Sequence, residues 1–253
     1  MSDEVLVERR GRILIATINR PDARNAVNRA VSQRLADAMD ELDESPELSV
    51  GIVTGAGGNF SAGMDLKAFA AGEIAAVEGR GLGFTEKPPR KPLIAAVEGN
   101  ALAGGTEIVL ATDLVVAAKS AKFGLPEVKR GLVAGGGGLL RLPDRIPYQK
   151  AVELALTGDT FSAEEGAGYG FVNVVSEPGQ ALAEAIRLAE RITENGPLAV
   201  AATKQILAES RSWSDDEKWK KQMDLLIPVF MSKDAAEGAK AFAEKRKPNW
   251  TGS

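Results

Sequence analysis

The stretch that decides the fold runs from Pro92 to Val128, "PLIAAVEGNALAGGTEIVLATDLVVAAKSAKFGLPEV". "PLIAAVEG" is a short apolar run closed by a turn glycine, "GGTEIVLATD" reads as an apolar helix, and "DLVVAA" is a second strand. Strand, helix and strand in so short a span are the unit of an α/β arrangement. One residue conflicts with the pattern. A helix starting near Gly104 puts Glu107 on a face with Ala103, Leu110, Ala111 and Leu114, while Ile108 and Val109 occupy the other faces. No polar side exists to solvate the carboxylate. It is either paired inside the protein, for instance with an arginine, or its proton is held more tightly than usual, which makes a glutamate useful as an acid or base near neutral pH.

The same rhythm extends in both directions. Upstream, "VLVE" and "ILIATIN", separated by "RRGR", read as a hairpin, "AVNRAVSQRLADAMDELDESP" has helical spacing, and "SVGIVTG" is another strand. Downstream come the helical "YQKAVELALTG", the segment "SAEEGAGYG" with capping-box spacing between Ser162 and Glu165, and the strand "FVNVVSEP". Past Asn195 the character changes: "PLAVAATKQILAES", "SDDEKWKKQMDLLIPVFM" and "DAAEGAKAFAEKRK" all read as helices. A boundary there divides the chain into a mixed core, 1–195, and a helical region, 196–253. The connection from Phe69 to Pro92, rich in Gly, Pro and charge, reads as partly ordered, either a functional lid or a disordered link.

Composition narrows the chemistry. The chain has 253 residues and contains no histidine and no cysteine. Ser-His-Asp and Cys-His nucleophiles, imidazole or thiolate metal sites and disulfides are therefore excluded, and proton transfer falls to Glu, Asp, Lys or the tyrosines Tyr148 and Tyr169. With 31 basic against 35 acidic residues there is no basic footprint for nucleic acid. No apolar stretch has the length of a membrane span, and the opening "MSDEVLVERRGRILIATINR" resembles neither a signal nor a transit peptide. The expected address is cytoplasmic.

Several turns could present backbone to a ligand. The glycines before Glu107 lie at a helix start, where unpaired amides carry partial positive charge, although a tight strand-to-helix turn also uses such a pair. "FSAGMDLK", Phe60–Lys67, is a second small-residue turn entering a helix. "GAGG" just upstream fails as a dinucleotide fingerprint, because Phe60 stands where the third glycine belongs. "KFGLPEVKRGL" places Glu127 after Pro126, which equally suits an acid at the first turn of a helix. Four glycines, Gly135 to Gly138, imply a backbone passing close to a ligand or to a neighbouring helix.

Taken in order, these segments resemble the enoyl-CoA hydratase (crotonase) family. "NRPDARNAV" is similar to its N-R-P-x-x-x-N-A segment, "FSAGMDLK" to its A-G-x-D-[LI] turn, "PLIAAVEGNALAGGTE" to its P-[VL]-I-A-A-V-x-G-x-A-x-G-G-G-x-E segment, "FGLPEV" to F-G-x-P-E and "FAEKRKPNW" to its closing F-x-E-K-R. The resemblance implies an α/β crotonase-like spiral of strand-strand-helix turns over 1–195, holding an acyl-CoA site. It also implies a C-terminal helical trimerisation region over 196–253, giving a homotrimer or a hexamer.

The resemblance further implies the reaction, reversible addition of water to a 2-trans-enoyl-CoA. The N–H groups of Met64 and Gly104 would form an oxyanion hole for the thioester oxygen, and Glu107 and Glu127 would hold the water as base and acid. Isomerases of the family typically manage with one acid-base carboxylate, so retention of both favours hydratase. Coenzyme A would belong to the substrate, with no separate cofactor or metal. Arg24, Ala26, Ala62, Asp65, Leu66 and Lys67 would line its path. Two alternatives stand beside this: an isomerase or other crotonase-type enzyme, and a non-catalytic acyl-CoA-binding protein on the same fold. The sequence departs from the family at Ala103, where many members have a glycine, and at Ala134, Leu139 and Leu140 in "AGGGGLLRL".

Overall fold

Each of the longer apolar runs becomes a strand of one sheet. The computed structural model describes residues 3–253, beginning with the hairpin β1 (Val5–Arg10) and β2 (Ile13–Ile18). There follow α1 (Arg29–Glu44), β3 (Val50–Gly55), α2 (Leu66–Ala70), β4 (Leu93–Val97), β5 (Asn100–Leu102) and α3 (Gly104–Leu110). Next are β6 (Leu114–Ala118), β7 (Lys122–Gly124), a 3-10 turn at Pro126–Arg130, α4 (Gly138–Arg145), α5 (Tyr148–Thr157), β8 (Thr160–Ser162), α6 (Ala163–Gly168) and β9 (Val174–Ser176). Four helices close the chain: α7 (Ala181–Thr193), α8 (Pro197–Glu209), α9 (Lys218–Phe230) and α10 (Lys233–Ala243).

The large sheet has the order β1-β2-β3-β4-β6-β9, parallel from β2 onward. Parallel strands covered on both faces read as unbroken apolar runs, which is why β4 is buried at every position. Its two faces separate cleanly by the two-residue period of a strand. Leu14, Ala16, Val53, Leu93, Ala95 and Val115 turn toward the main core beneath α1 and α3, while Ile13, Ile15, Ile52, Ile94 and Val116 pack against Ala185, Ile186 and Ala189 of α7.

A second, three-stranded sheet with the order β5-β7-β8 was not legible in the sequence. Its strands are only three residues long, too short for alternation to register. Phe123, Phe161 and Phe171 support it from below, in an edge-to-face and stacked cluster with ring centroids 5.1–5.6 Å apart. In two consecutive rounds the chain leaves the large sheet, adds a short strand to the small one and enters a helical turn: β4, β5, α3, then β6, β7 and Pro126–Arg130. The round before them is a partial copy, in which Ser61 bridges Ala101 of β5 before α2.

The connection from Phe69 to Pro92 is ordered over most of its length, which rules out a disordered link. Glu73 accepts the Arg29 N–H at 2.7 Å, Arg80 pairs with Asp40 at 2.9 Å, and Leu82, Phe84 and Thr85 are buried. It is a strap crossing α1, fixed by buried apolar residues spaced too irregularly to show a period. The capping box at α6 forms as its spacing requires. Among the described residues no helix is long and apolar enough to cross a membrane.

Candidate active site

The rounds of the spiral bring three turns of the chain to one place, the ends of the small-sheet strands. Ser61 N–H donates to the Asn100 carbonyl and Leu102 N–H to the Ser61 carbonyl, each at 2.9 Å, and β5 pairs in parallel with β7. The turns that follow Ser61, β5 and β7 are therefore neighbours. Thr106 locks two of them, since its hydroxyl accepts the Gly124 N–H at 2.9 Å and donates to the Ala101 carbonyl at 2.6 Å.

The first two turns present backbone amides. Gly63 has φ +91, and a methyl group there would lie 2.8 Å from the Leu102 carbonyl and 2.9 Å from the Gly104 nitrogen. Only glycine fits. A methyl at Gly104 would in turn stand 3.4 Å from the Met64 nitrogen, so the Met64 and Gly104 amides are close together. Neither N–H has an acceptor among the described residues. Two neighbouring unpaired donors, one at a helix start, form a place for a developing negative charge on oxygen.

Two carboxylates flank it. All seven residues of α3 are buried, and Glu107 is 3% exposed, as its apolar helix required. Among the described residues no arginine side chain bonds it. Instead its Oε1 accepts the N–H of Gly136 at 2.7 Å and of Gly138 at 2.9 Å, which answers what the four-glycine run approaches. A methyl at Gly136 would stand 2.8 Å from Glu107 Oε2. Burial raises the proton affinity of Glu107, and the two amide bonds and the charge of Arg141 oppose that rise.

Glu127 sits in the first turn after Pro126, on the third of the neighbouring turns. Its Oε2 is buried without a hydrogen-bond partner among the described residues. Burial raises its proton affinity too; its own backbone N–H opposes this and the charge of Glu107 adds to it. Structural carboxylates are normally satisfied, so an unpartnered buried oxygen beside a second acid calls for a ligand. The walls are Leu82, whose Cδ1 would touch methyls at Gly104 and Gly136, and Leu125, beside Gly138.

The remaining sequence candidates form an adjoining ledge. Ala62 N–H donates to the Arg24 carbonyl at 3.0 Å, Val27 N–H to Gly63 at 2.8 Å and Asp65 N–H to Val27 at 2.9 Å, which places Arg24, Ala26, Ala62 and Asp65 side by side. Buried Asn25 holds the ledge through the Ala56 and Asn59 carbonyls. The Asp65 side chain caps α2 and pairs with Arg20 at 3.0 Å, so it offers a ligand backbone only. Leu66 and Lys67 are exposed beyond it. Sequence reasoning missed Thr106, Leu82, Thr85 and Arg141, and its signal for Gly136 and Gly138 was the glycine run alone. Among the described residues no group of three or more Asp, Glu, His or Cys is arranged to hold a metal ion.

Known proteins share this arrangement of chain. "Enoyl-CoA hydratase EchA19" of Mycobacterium tuberculosis is 45% identical over 262 residues, covering 98% of this chain and 96% of that protein. A carnitinyl-CoA dehydratase of Salmonella typhi is 40% identical over 261 residues, covering both chains completely. The crystal structure of enoyl-CoA hydratase EchA1 from Mycobacterium marinum superposes with a TM-score of 0.99 at 70% identity, covering 100% of both chains. The model of the enoyl-CoA hydratase/isomerase family matches residues 8–253, and this chain belongs to that family.

Proposed function

We propose that the protein is an enoyl-CoA hydratase, adding water reversibly to a 2-trans-enoyl-CoA to give a 3-hydroxyacyl-CoA. The observation that carries the reading is the buried carboxylate of Glu107 and the half-buried Glu127, whose Oε2 is shielded from solvent, beside the two unpaired amides of Met64 and Gly104. The amides receive the thioester oxygen. Charge that builds on that oxygen as the enolate forms is stabilised by two donors, and loss of one donor of this kind costs about 2.7–4 kcal/mol.

The two acids then divide the work. Glu107, with two amide bonds and a nearby arginine favouring its ionised form, takes a proton from the water whose oxygen attacks C3. Glu127, without such support and raised further by the charge of Glu107, gives a proton to C2. Dehydration runs the same steps backwards. The coenzyme A portion lies along Arg24, Ala26, Ala62, Asp65 and Leu66, with Lys67 by a phosphate. It leaves with the product, and no separate cofactor enters the scheme.

The spiral core, 1–195, carries this chemistry, and region 196–253 joins copies of the chain. Helices α8 and α9 bury no residue, while Leu207, Trp219, Phe230 and Phe242 are 69–88% exposed. A homotrimer or a hexamer of two trimers covers that apolar surface, and the expected address is the cytoplasm. Light scattering that gives a monomer at micromolar concentration would refute the assembly.

Activity is tested by following the conjugated thioester absorbance with crotonyl-CoA and longer enoyl-CoAs, and with carnitinyl-CoA in the dehydration direction. No turnover of any of these overturns the reading. Glu107→Gln and Glu127→Gln separate hydratase from isomerase: a hydratase suffers badly from either, whereas an isomerase with Glu127 as its one acid-base group keeps most activity in Glu107→Gln. Tight binding of acyl-CoA with no product under any condition would identify a binding protein.

A further inference from the structure

Arg141 is half-buried in α4, one turn after the glycine that bonds Glu107. Its Nη2 donates to the Thr85 carbonyl of the strap at 2.5 Å. The Thr85 hydroxyl accepts the Leu82 N–H at 3.0 Å, and Leu82 Cδ1 is the wall that touches the faces of Gly104 and Gly136. On its other side the guanidinium lies against Gly137, where an added methyl would stand 2.2 Å from Nη1. One cation therefore links the strap, the wall and the glycine loop whose amides grip Glu107.

We infer that Arg141 is a positioning residue for the hydration chemistry: it braces the glycine loop against the strap and fixes a positive charge on the Glu107 side of the site. A merely structural arginine at this place would need only its hydrogen bond to Thr85. The placement does more, because Glu107 is buried and a charge near it is poorly screened. Among the described residues the charged groups that interact with Glu107 are Arg141 and, from the Pro126–Arg130 turn, Glu127; Arg145 on the same helix repels Arg141 and donates to the Thr112 carbonyl. Arg141 is the cation whose charge favours the ionised form of Glu107.

This inference rests on the proposed function for its kinetic arm and is independent of it for its titration arm. Protein carrying 13C at glutamate Cδ is titrated by NMR, with the Glu107 resonance assigned by its loss in Glu107→Gln. In Arg141→Gln the Glu107 midpoint moves to higher pH, because a cation that favoured the carboxylate is gone, and in Arg141→Lys it returns toward wild type. Kinetically, Arg141→Gln lowers kcat about tenfold or more with KM changed less than about twofold, and the acid limb of kcat/KM shifts to higher pH. An unmoved Glu107 titration in folded Arg141→Gln overturns the assignment. If that variant does not fold, Arg141→Met, which keeps the stem without the charge, is read in the same way. Failure of both to fold makes Arg141 a folding residue and also overturns it. Should wild type hydrate no enoyl-CoA, the functional reading falls while the titration still decides Arg141.

Discussion

Substituting Gly136 by alanine tests the glycine loop at its tightest point. The new methyl carbon would lie 2.8 Å from Glu107 Oε2, 3.0 Å from its Cδ and 3.2 Å from Leu82 Cδ1. Carbon atoms in unstrained contact stand about 3.5–4.0 Å apart, so the carboxylate or the loop must retreat by roughly half to one ångström. Overpacking of this kind costs about 1–3 kcal/mol, and a displacement near 1 Å of a group that takes part in catalysis costs on the order of a hundredfold in rate. Gly135 is the internal control. It lies in the same run, has no positive φ, and a methyl there meets nothing within 4 Å. Gly135→Ala should leave activity intact and stability unchanged or raised by about 0.4–1 kcal/mol. The assay is kcat with crotonyl-CoA for both variants, alongside urea denaturation. Gly136→Ala should lose kcat with KM little changed, since the coenzyme A ledge lies on other turns. If the two variants agree within about twofold in kcat, the loop does not set Glu107 and the reasoning fails.

Three further outcomes are expected. Glu127→Gln should be more stable than wild type at neutral pH, by about 1 kcal/mol after discounting for its partial exposure. A carboxyl whose folded proton affinity is raised supports stability below its unfolded value and withdraws it as pH rises through the folded one, so the gap should close toward pH 4.5 in urea titrations. Ala103, at φ 51 and ψ −124, holds a conformation that favours glycine, so Ala103→Gly should gain about 1 kcal/mol net of the added chain entropy, a rise of about 2–4 °C in thermal denaturation. Asp234, buried in α10, accepts the Thr251 N–H at 2.7 Å and the Gly252 N–H at 2.9 Å; in Asp234→Ala, amide exchange at both positions should quicken about tenfold or more.

What could be read from the sequence followed the length of each signal. The hairpin, the central strands and α1 each carry five or more residues of one pattern, a continuous apolar run in the central strands and helical spacing in α1, and each lies where its pattern put it. Glu107 was legible because α3 has no polar face, so one acid in it stands out. The small sheet was not, since β5, β7 and β8 owe their existence to pairing with chain far away in sequence. Thr106 and Arg141 were hidden for a related reason. A threonine in a helix and an arginine on an amphipathic helix carry no local anomaly, and their partners, Gly124 and Thr85, are 18 and 56 residues distant.

The features that oppose folding gather where the turns of the small sheet meet: the backbone of Ala103, the burial of Glu107 and the unpartnered oxygen of Glu127. They differ in what they serve. The two acids contribute their side chains to the chemistry, so relieving either one by substitution removes function with the strain. Ala103 contributes only backbone, its N–H bonded to the Gly124 carbonyl at 2.9 Å and its carbonyl opening α3. Glycine holds that same path without a Cβ. Strain at Ala103 is thus separable from catalysis, and Ala103→Gly should gain stability at unchanged kcat. A fall in kcat would instead mean that the Cβ, close against Gly63, helps to hold the two amide-bearing turns in register.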